Sequence, residues 1–158
     1  MPRSKQLVVF ALDDQKFGLD LSRVARIVRA VEITPLPEAP SLVPGVINIE
    51  GEIVPVINSR QRLSIREREI ELSDHFIVVN GLGTALALIA DKVEPVLEVT
   101  EDRLVYSGAS VPTGGCVEGV AKMEDGLIIL LDVEKMLLSD EVEPESIRVS
   151  LEAIGTEE

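Results

Sequence analysis

Apolar residues along the chain come in short bursts separated by turn residues. LVVFAL at 7–12 and KFGLDL at 16–21 predict a hairpin around Asp13, Asp14 and Gln15. LSRVARIVR at 21–29 has apolar residues at 21, 24, 27 and 28, the spacing of one helix face, with Asp20 placed as N-cap. Residues 31–45 hold four of the nine prolines, which bars an interior strand beyond Thr34 and predicts an extended surface loop. The stretch 45–58 reads as strand, turn at Glu50-Gly51, strand. Residues 75–81 and 83–93 predict a second hairpin on Asn80-Gly81, a strong turn signal. A strand follows at 94–100, then a loop rich in Gly, Ser and Pro at 102–116. The stretch 119–138 reads as strand, Asp-Gly turn, strand and a short closing helix. Some ten short strands with little helix point to an all-β barrel or sandwich.

The pattern repeats. GVINIEGEIVPVINSRQRL (45–63) aligns without gaps to GVAKMEDGLIILLDVEKML (119–137), at an offset of 74. Gly45 matches Gly119, Glu50 matches Glu124, and Asn58 matches Asp132. FGLDLSRVARIV (17–28) aligns to LALIADKVEPVL (86–97) at an offset of 69. Each half therefore runs hairpin, connector, turn-linked strand pair, short helix. Two homologous, intertwined barrel subdomains of about five strands are expected, roughly 6–74 and 75–138. Each is too small to be stable alone, so the two should share hydrophobic surface.

With 158 residues, 46% of them hydrophobic, the chain can bury a core. That core must be aliphatic, because Phe10, Phe17, Phe76 and Tyr106 are the only aromatics. The single Cys rules out an intramolecular disulfide and fits a reducing compartment. The single His excludes metal sites built on two or three imidazoles. The apolar run from Leu7 to Leu12 is too short for a signal peptide and no window reaches a membrane span, so a soluble cytoplasmic protein is expected.

A net charge of −13 argues against nucleic acid and anionic membranes as partners. The acid is uneven: residues 139–158 carry net −6, and read either as an interaction tail or as a solvated terminus. Eight of the ten arginines precede position 70. Arg23, Arg26 and Arg29 would lie along one side of the expected helix, as a solvated face or a surface for an acidic partner. Arg60, Arg62, Arg66 and Arg68 interleave with Glu67, Glu69 and Glu71, and predict a polar linker with weak local ion pairs.

Candidate chemistry is sparse. Cys116 and His75 would need hydrogen-bond reach and an orienting third group to act as a nucleophile pair, and a lone Cys is more often a small buried hydrophobe. Gly81-Leu82-Gly83 lacks the third glycine of a dinucleotide fingerprint, and Gly114-Gly115 is not followed by Lys-Ser/Thr as in a P-loop. The acidic residues form no Ca²⁺-loop pattern. No catalytic residue, cofactor or metal is expected, and a protein-binding module is the default reading.

Several blocks resemble the CheW family of chemotaxis coupling proteins. They are F-x-L-x-x-x-x-F-G-L-D from Phe10, V-x-x-I-V-R from Val24, I-T-P-L-P-x-A-P from Ile33, and G-V-I-N-I-x-G-x-I-V-P-V-I from Gly45. The second half adds I-A-D-K-V at 89–93, Val-Glu-Gly-Val-Ala at 117–121 and G-L-I-I-L-L-D at 126–132. The resemblance covers about residues 6–138 and leaves 139–158 as an acidic tail. It implies two five-stranded SH3-like barrels around a common core, with no catalytic activity. It further implies binding to the regulatory domain of a CheA-type histidine kinase and to the cytoplasmic tip of chemoreceptors, in a cytoplasmic, receptor-associated array without membrane insertion. On this chain it points to Val24, Ile27 and Val28 for the receptor groove, though the same three residues also fit a core role. It adds Asn48, Glu50, Gly51, Val54 and Pro55 as partner-binding candidates.

One departure stands out. The family usually has Arg where this chain has Glu50, and commonly Asp where it has Asn58. A reversed charge discriminates between partners by repelling the wrong one. The resemblance therefore leaves room for a specialised, non-chemotactic kinase pathway. If the compensating charge sits on the partner, Glu50→Arg should weaken binding to it. A small ligand-binding barrel or a Cys116-dependent enzyme is the remaining alternative.

Overall fold

A computed structural model describes residues 3–81, 83–106 and 115–137. The expected acidic tail and the middle of the loop at 102–116 lie outside the described residues. In chain order the elements are β1 (Ser4–Leu12), β2 (Gln15–Asp20), β3 (Val24–Arg29), β4 (Gly45–Ile49), β5 (Glu52–Ile57), α1 (Ser59–Arg62), β6 (His75–Gly81), β7 (Thr84–Ala90), β8 (Lys92–Val93), β9 (Leu97–Thr100), β10 (Leu104–Tyr106), β11 (Val117–Met123), β12 (Gly126–Leu131) and α2 (Val133–Leu137).

The strands form an all-β fold of two curled sheets. One has the order β3-β6-β7-β5-β4; the other runs β10-β11-β12-β2-β1-β8, with β9 also on β1. The two sequence halves are therefore not the two sheets. The halves at 6–74 and 75–138 exchange their first hairpins: β1 and β2 complete the sheet of the second half, and β6 and β7 complete that of the first.

The repeat is kept in the strand register. β2 pairs parallel with β12 at Gly18–Leu130, and β7 pairs parallel with β5 at Ala87–Val56, the equivalent residues. β1 meets β9 at Leu7–Leu97, and β6 meets β3 at Phe76–Val28, again equivalent. The larger sheet counts seven strands because the equivalent of β3 is broken into β8 and β9 around Pro95. Its β10 occupies the place where the smaller sheet has only the isolated Thr34–Val46 bridge.

Gly45 and Gly119 have the same physical reason. A Cβ on Gly45 would stand 2.2 Å from the Thr34 carbonyl oxygen, and one on Gly119 would stand 2.4 Å from that of Val105. In both sheets the neighbouring segment crosses so close that only hydrogen fits.

Core packing explains why LVVFAL shows no polar alternation. Val8, Phe10 and Leu12 pack in a core shared by both sheets, with Phe17, Leu19, Ile57, Ile77, Leu88, Leu131 and Met136. Leu7 and Val9, on the opposite face, fill the interior of their own barrel with Ala121, Ile128 and Leu130. Phe76 and Val78 fill the other barrel with Ile47, Val54 and Val56. Both faces of these hairpins are buried, so the sequence reads as continuous apolar runs. At roughly 25 cal/mol per Å² of apolar surface removed from water, a face shared between barrels supplies burial that neither small barrel could provide alone.

Three expectations need correction. Residues 21–29 are not a helix: Leu21–Arg23 form one 3-10 turn and Val24–Arg29 is the strand β3, paired with β6 with a bulge between Val24 and Arg26. Asp20 does cap the turn, its carboxylate accepting the Ser22 N–H at 3.0 Å. The β6–β7 turn is not on Asn80-Gly81, because Asn80 pairs with Ala85 and Gly81 with Thr84. Gly83, at φ 80°, supplies the left-handed residue instead. Finally, the proline-rich loop is not wholly on the surface, since Leu42 and Val43 are buried in the shared core.

Candidate functional site

The strand β3 is an outer strand of the smaller sheet, and β4 is the other. Their seam is joined by Thr34 and Val46, which exchange two backbone hydrogen bonds at 2.8 and 2.9 Å. Further along the seam Arg26 of β3 reaches Glu50, with a guanidinium nitrogen 3.5 Å from the carboxylate. Glu50 and Gly51 form the β4–β5 turn with φ 51° and 92°, two successive left-handed residues as a two-residue hairpin of this hand requires. The Asn48 side-chain oxygen accepts the Gly51 N–H at 2.8 Å and fixes this turn. Glu50 is thus held out from the barrel, exposed, facing Arg26.

The expected partner-binding residues separate into two groups. Val24 and Val28 are half-buried, Ile27 is 40% exposed, and Asn48, Glu50 and Gly51 are exposed around the seam. Val54 and Pro55 belong elsewhere: both are buried in β5, Val54 at 1% exposure inside the barrel. Ile53 is the exposed apolar side chain of the same strand, on the face that strand alternation turns outward.

The arginine row also reads differently in a strand. Arg23, in the turn before β3, pairs with Glu134 of α2 at 2.7 Å, and Arg26 pairs with Glu50. Arg29, opposite His75 at the end of β3, makes no ion pair among the described residues.

A second cluster lies at the junction of the barrels. Arg60 of α1, 6% exposed, donates to Asp13 at the β1–β2 turn and to Asp91 between β7 and β8. Arg68 donates to Asp91 at 2.6 Å and to both oxygens of Asp74, which is 1% exposed. These arginines do not form ion pairs with their neighbours Glu67, Glu69 and Glu71 as expected; they reach Asp13 and Asp91, distant in sequence, and Asp74 at the end of the same segment. Burial alone would raise the Asp74 carboxyl, but Arg68 and the Glu71 amide outweigh it and hold it below the usual range. Arg60, hydrogen-bonded to Asp13, likewise holds that carboxyl down. Two cations and three anions are thus mutually satisfied. The arrangement fastens the segment 64–74 to the junction.

Cys116 is 2% exposed and part of the shared core. Burial pushes its thiol up, away from the thiolate needed for nucleophilic chemistry. His75 and Cys116 are not brought together by any hydrogen bond among the described residues. No group of three or more metal-ligating side chains occurs among the described residues. No described helix is long and apolar enough to cross a membrane.

Outer strands and exposed paired charges on a double β-barrel fit the class of protein-binding scaffolds. The sequence profile described as the CheW-like domain matches residues 6–141. The chain belongs to the CheW family. It is 32% identical over 145 residues to the chemotaxis protein CheW of Treponema pallidum, covering 87% of this chain and 85% of that one. It is 30% identical over 132 residues to the chemotaxis protein CheW of Thermotoga maritima, covering 84% and 87%. Among solved structures, the scaffolding protein TtCheW from Thermoanaerobacter tengcongensis superposes with a TM-score of 0.79 at 34% identity, covering 90% of this chain and 97% of that one. Its family makes this chain a chemotaxis coupling scaffold.

Proposed function

We propose that the chain is a noncatalytic cytoplasmic adaptor that couples the cytoplasmic tip of chemoreceptors to the regulatory domain of a CheA-type histidine kinase. The observation that carries this reading is β3, an outer strand with half-buried Val24 and Val28, exposed Ile27 and a charged seam beside it. Aliphatic anchors flanked by charge suit a helical hairpin laid across a groove, where a few buried side chains carry most of the affinity. The kinase domain, as a homologous barrel in this family, would be engaged barrel to barrel.

Calorimetric titration with the kinase regulatory domain of the same organism tests the reading. Saturable binding with a Kd of about 1 μM or tighter is expected. No binding to either that domain or a chemoreceptor hairpin would reject it. Glu50 in place of the family's usual Arg is the ground for one variant of the reading, a kinase pathway with its own partner set. Binding to one kinase of the organism and not to its paralogues would support that variant.

A further inference from the structure

We infer that an apolar groove just past the end of β3 is a docking site for this chain's own C-terminal segment, residues 147–151, Ile-Arg-Val-Ser-Leu. The inference goes beyond the proposed function, and neither proposed partner enters its test. The segment lies outside the described residues and beyond residues 6–141, the stretch that the family profile matches.

The groove has a volume of about 340 Å³ and is lined by Val31, Ile33, Ile70 and Leu72, with the carboxylates of Glu32 and Glu71 in its wall. Val31 is 44% exposed, Ile70 40% and Leu72 91%. They are three of the eight large apolar side chains that stand exposed among the described residues. Gathered round one groove, they mark a contact surface, whereas single exposed residues would need no explanation. Neither Glu32 nor Glu71 enters an ion pair among the described residues.

The segment matches this lining in pattern, charge and reach. Ile147, Val149 and Leu151 alternate with Arg148 and Ser150, so an extended backbone puts three apolar side chains on one side. Arg148 is the only cation in residues 139–158, among seven carboxylates. It complements the Glu32 and Glu71 wall, which repels the acidic residues 140–145 and leaves them to the connecting arm. The arm starts near the groove. Arg62 of α1 holds the carbonyls of Lys135 and Met136 in the last turn of α2. Ile65 donates its N–H back to Arg60 of α1, so Ile70 is at most five residues further on. That is about 17 Å of extended chain, and residues 138–146 extend up to about 30 Å.

Two cysteine pairs in the full chain test the inference: Leu72→Cys with Ser150→Cys, and Leu127→Cys with Ser150→Cys. Both keep the three apolar side chains of the segment. Leu127 is also exposed, and it stands near the start of β12, the strand that leads into α2, so the arm reaches it too. Thermal melting checks that both proteins fold, and Cys116, buried in both, is common to them. Each is held at micromolar concentration in a mixed oxidised and reduced glutathione buffer. The Leu72 pair should close within one molecule at least about tenfold faster than the Leu127 pair, and Arg148→Glu should slow that closure. Equal rates for the two pairs would overturn the inference, because the arm would then sample the surface without preference. Disulfide-linked dimers from the Leu72 pair, forming faster as protein concentration rises, would overturn the tail as occupant and put a second copy there. Closure untouched by Arg148→Glu would overturn the match between that arginine and the groove wall.

Discussion

The two barrels share a register residue by residue, yet they are fastened to each other by different chemistry. At the 74-residue offset Arg60 of α1 corresponds to Glu134 of α2. Each helix follows the second strand of its half's turn-linked pair, β5 or β12, and each side chain reaches a segment where the chain crosses between sheets. Arg60 is buried and meets Asp13 and Asp91, whereas Glu134 is about half exposed and meets Arg23. α1 also reaches the other helix directly: Arg62 donates to the carbonyls of Lys135 and Met136 at 2.8 and 2.9 Å. The difference teaches that the repeat fixes strand register through apolar packing, while polar junction residues diverge according to how deeply each junction is buried. A charge that water can reach needs only one partner; a charge it cannot reach needs several.

The sharpest way to break this contrast is to remove the equivalent charge from each helix. Arg60→Ala should cost about 1.5–3 kcal/mol, because it takes the hydrogen-bonded cation from Asp13 and one of the two cations from Asp91. Glu134→Ala should cost under about 1 kcal/mol, as an exposed pair does. Chemical denaturation of both variants checks this. Equal losses would mean that burial does not separate the two junctions.

Gly45→Ala and Gly119→Ala sharpen the other side of the comparison, the part that should be equal. In each, the new methyl group meets a backbone carbonyl at an impossible distance, so backbone must shift. Overpacking of this kind costs about 1–3 kcal/mol or somewhat more, and the two variants should agree within about 1 kcal/mol. A tolerated Gly119→Ala beside a damaging Gly45→Ala would show that β10 yields where the Thr34 bridge does not.

Acid should act on the α1 junction first. Asp74 and Asp13 are held below their ordinary range when folded, so between the folded and unfolded values the unfolded chain binds more protons. The stabilisation is therefore complete above about pH 4 and is lost as pH falls through the lower folded-state values. Asp74→Asn should flatten the fall in melting temperature below pH 4 while lowering stability at pH 7. An unchanged acid limb would remove this pair from the account.

The sequence carried the fold well wherever a local rule decided. The hairpins at Asp13-Asp14 and Glu50-Gly51 were legible because turn residues announce themselves locally, whereas the expected Asp-Gly turn lies one residue earlier, on Glu124-Asp125, with Gly126 paired to Met123. The repeat was legible because both interiors need apolar residues at matching places. β3 was misread because Leu21, Val24, Ile27 and Val28 satisfy a helical period, while its β-branched residues and its pairing with β6 decided for strand. The β6–β7 turn was displaced because the register of β6 on β7 outweighed a favourable Asn-Gly. Of the site, the exposed positions around Glu50 were legible, but Arg26 as its partner was not, since facing across a seam is invisible in one dimension. Nor was the Arg60–Arg68 ring, whose carboxylates lie 47, 31, 23 and 6 residues away.

The smallest expected effect on binding bears on what the shared core is for. Cys116 stands just before β11 and packs with Leu131, Val133 and Met136 where the second half closes over the core. Its burial raises the thiol pKa, so a thiol reagent at neutral pH should modify it only as fast as the protein opens. Cys116→Ala removes one sulfur from a packed interior and should cost about 1 kcal/mol, with no change in affinity for kinase domain or receptor hairpin. Fast labelling of the folded protein, or a loss of binding without a loss of stability, would make this thiol a working group. In that event the shared core would hold a reactive site and could no longer be read as packing alone.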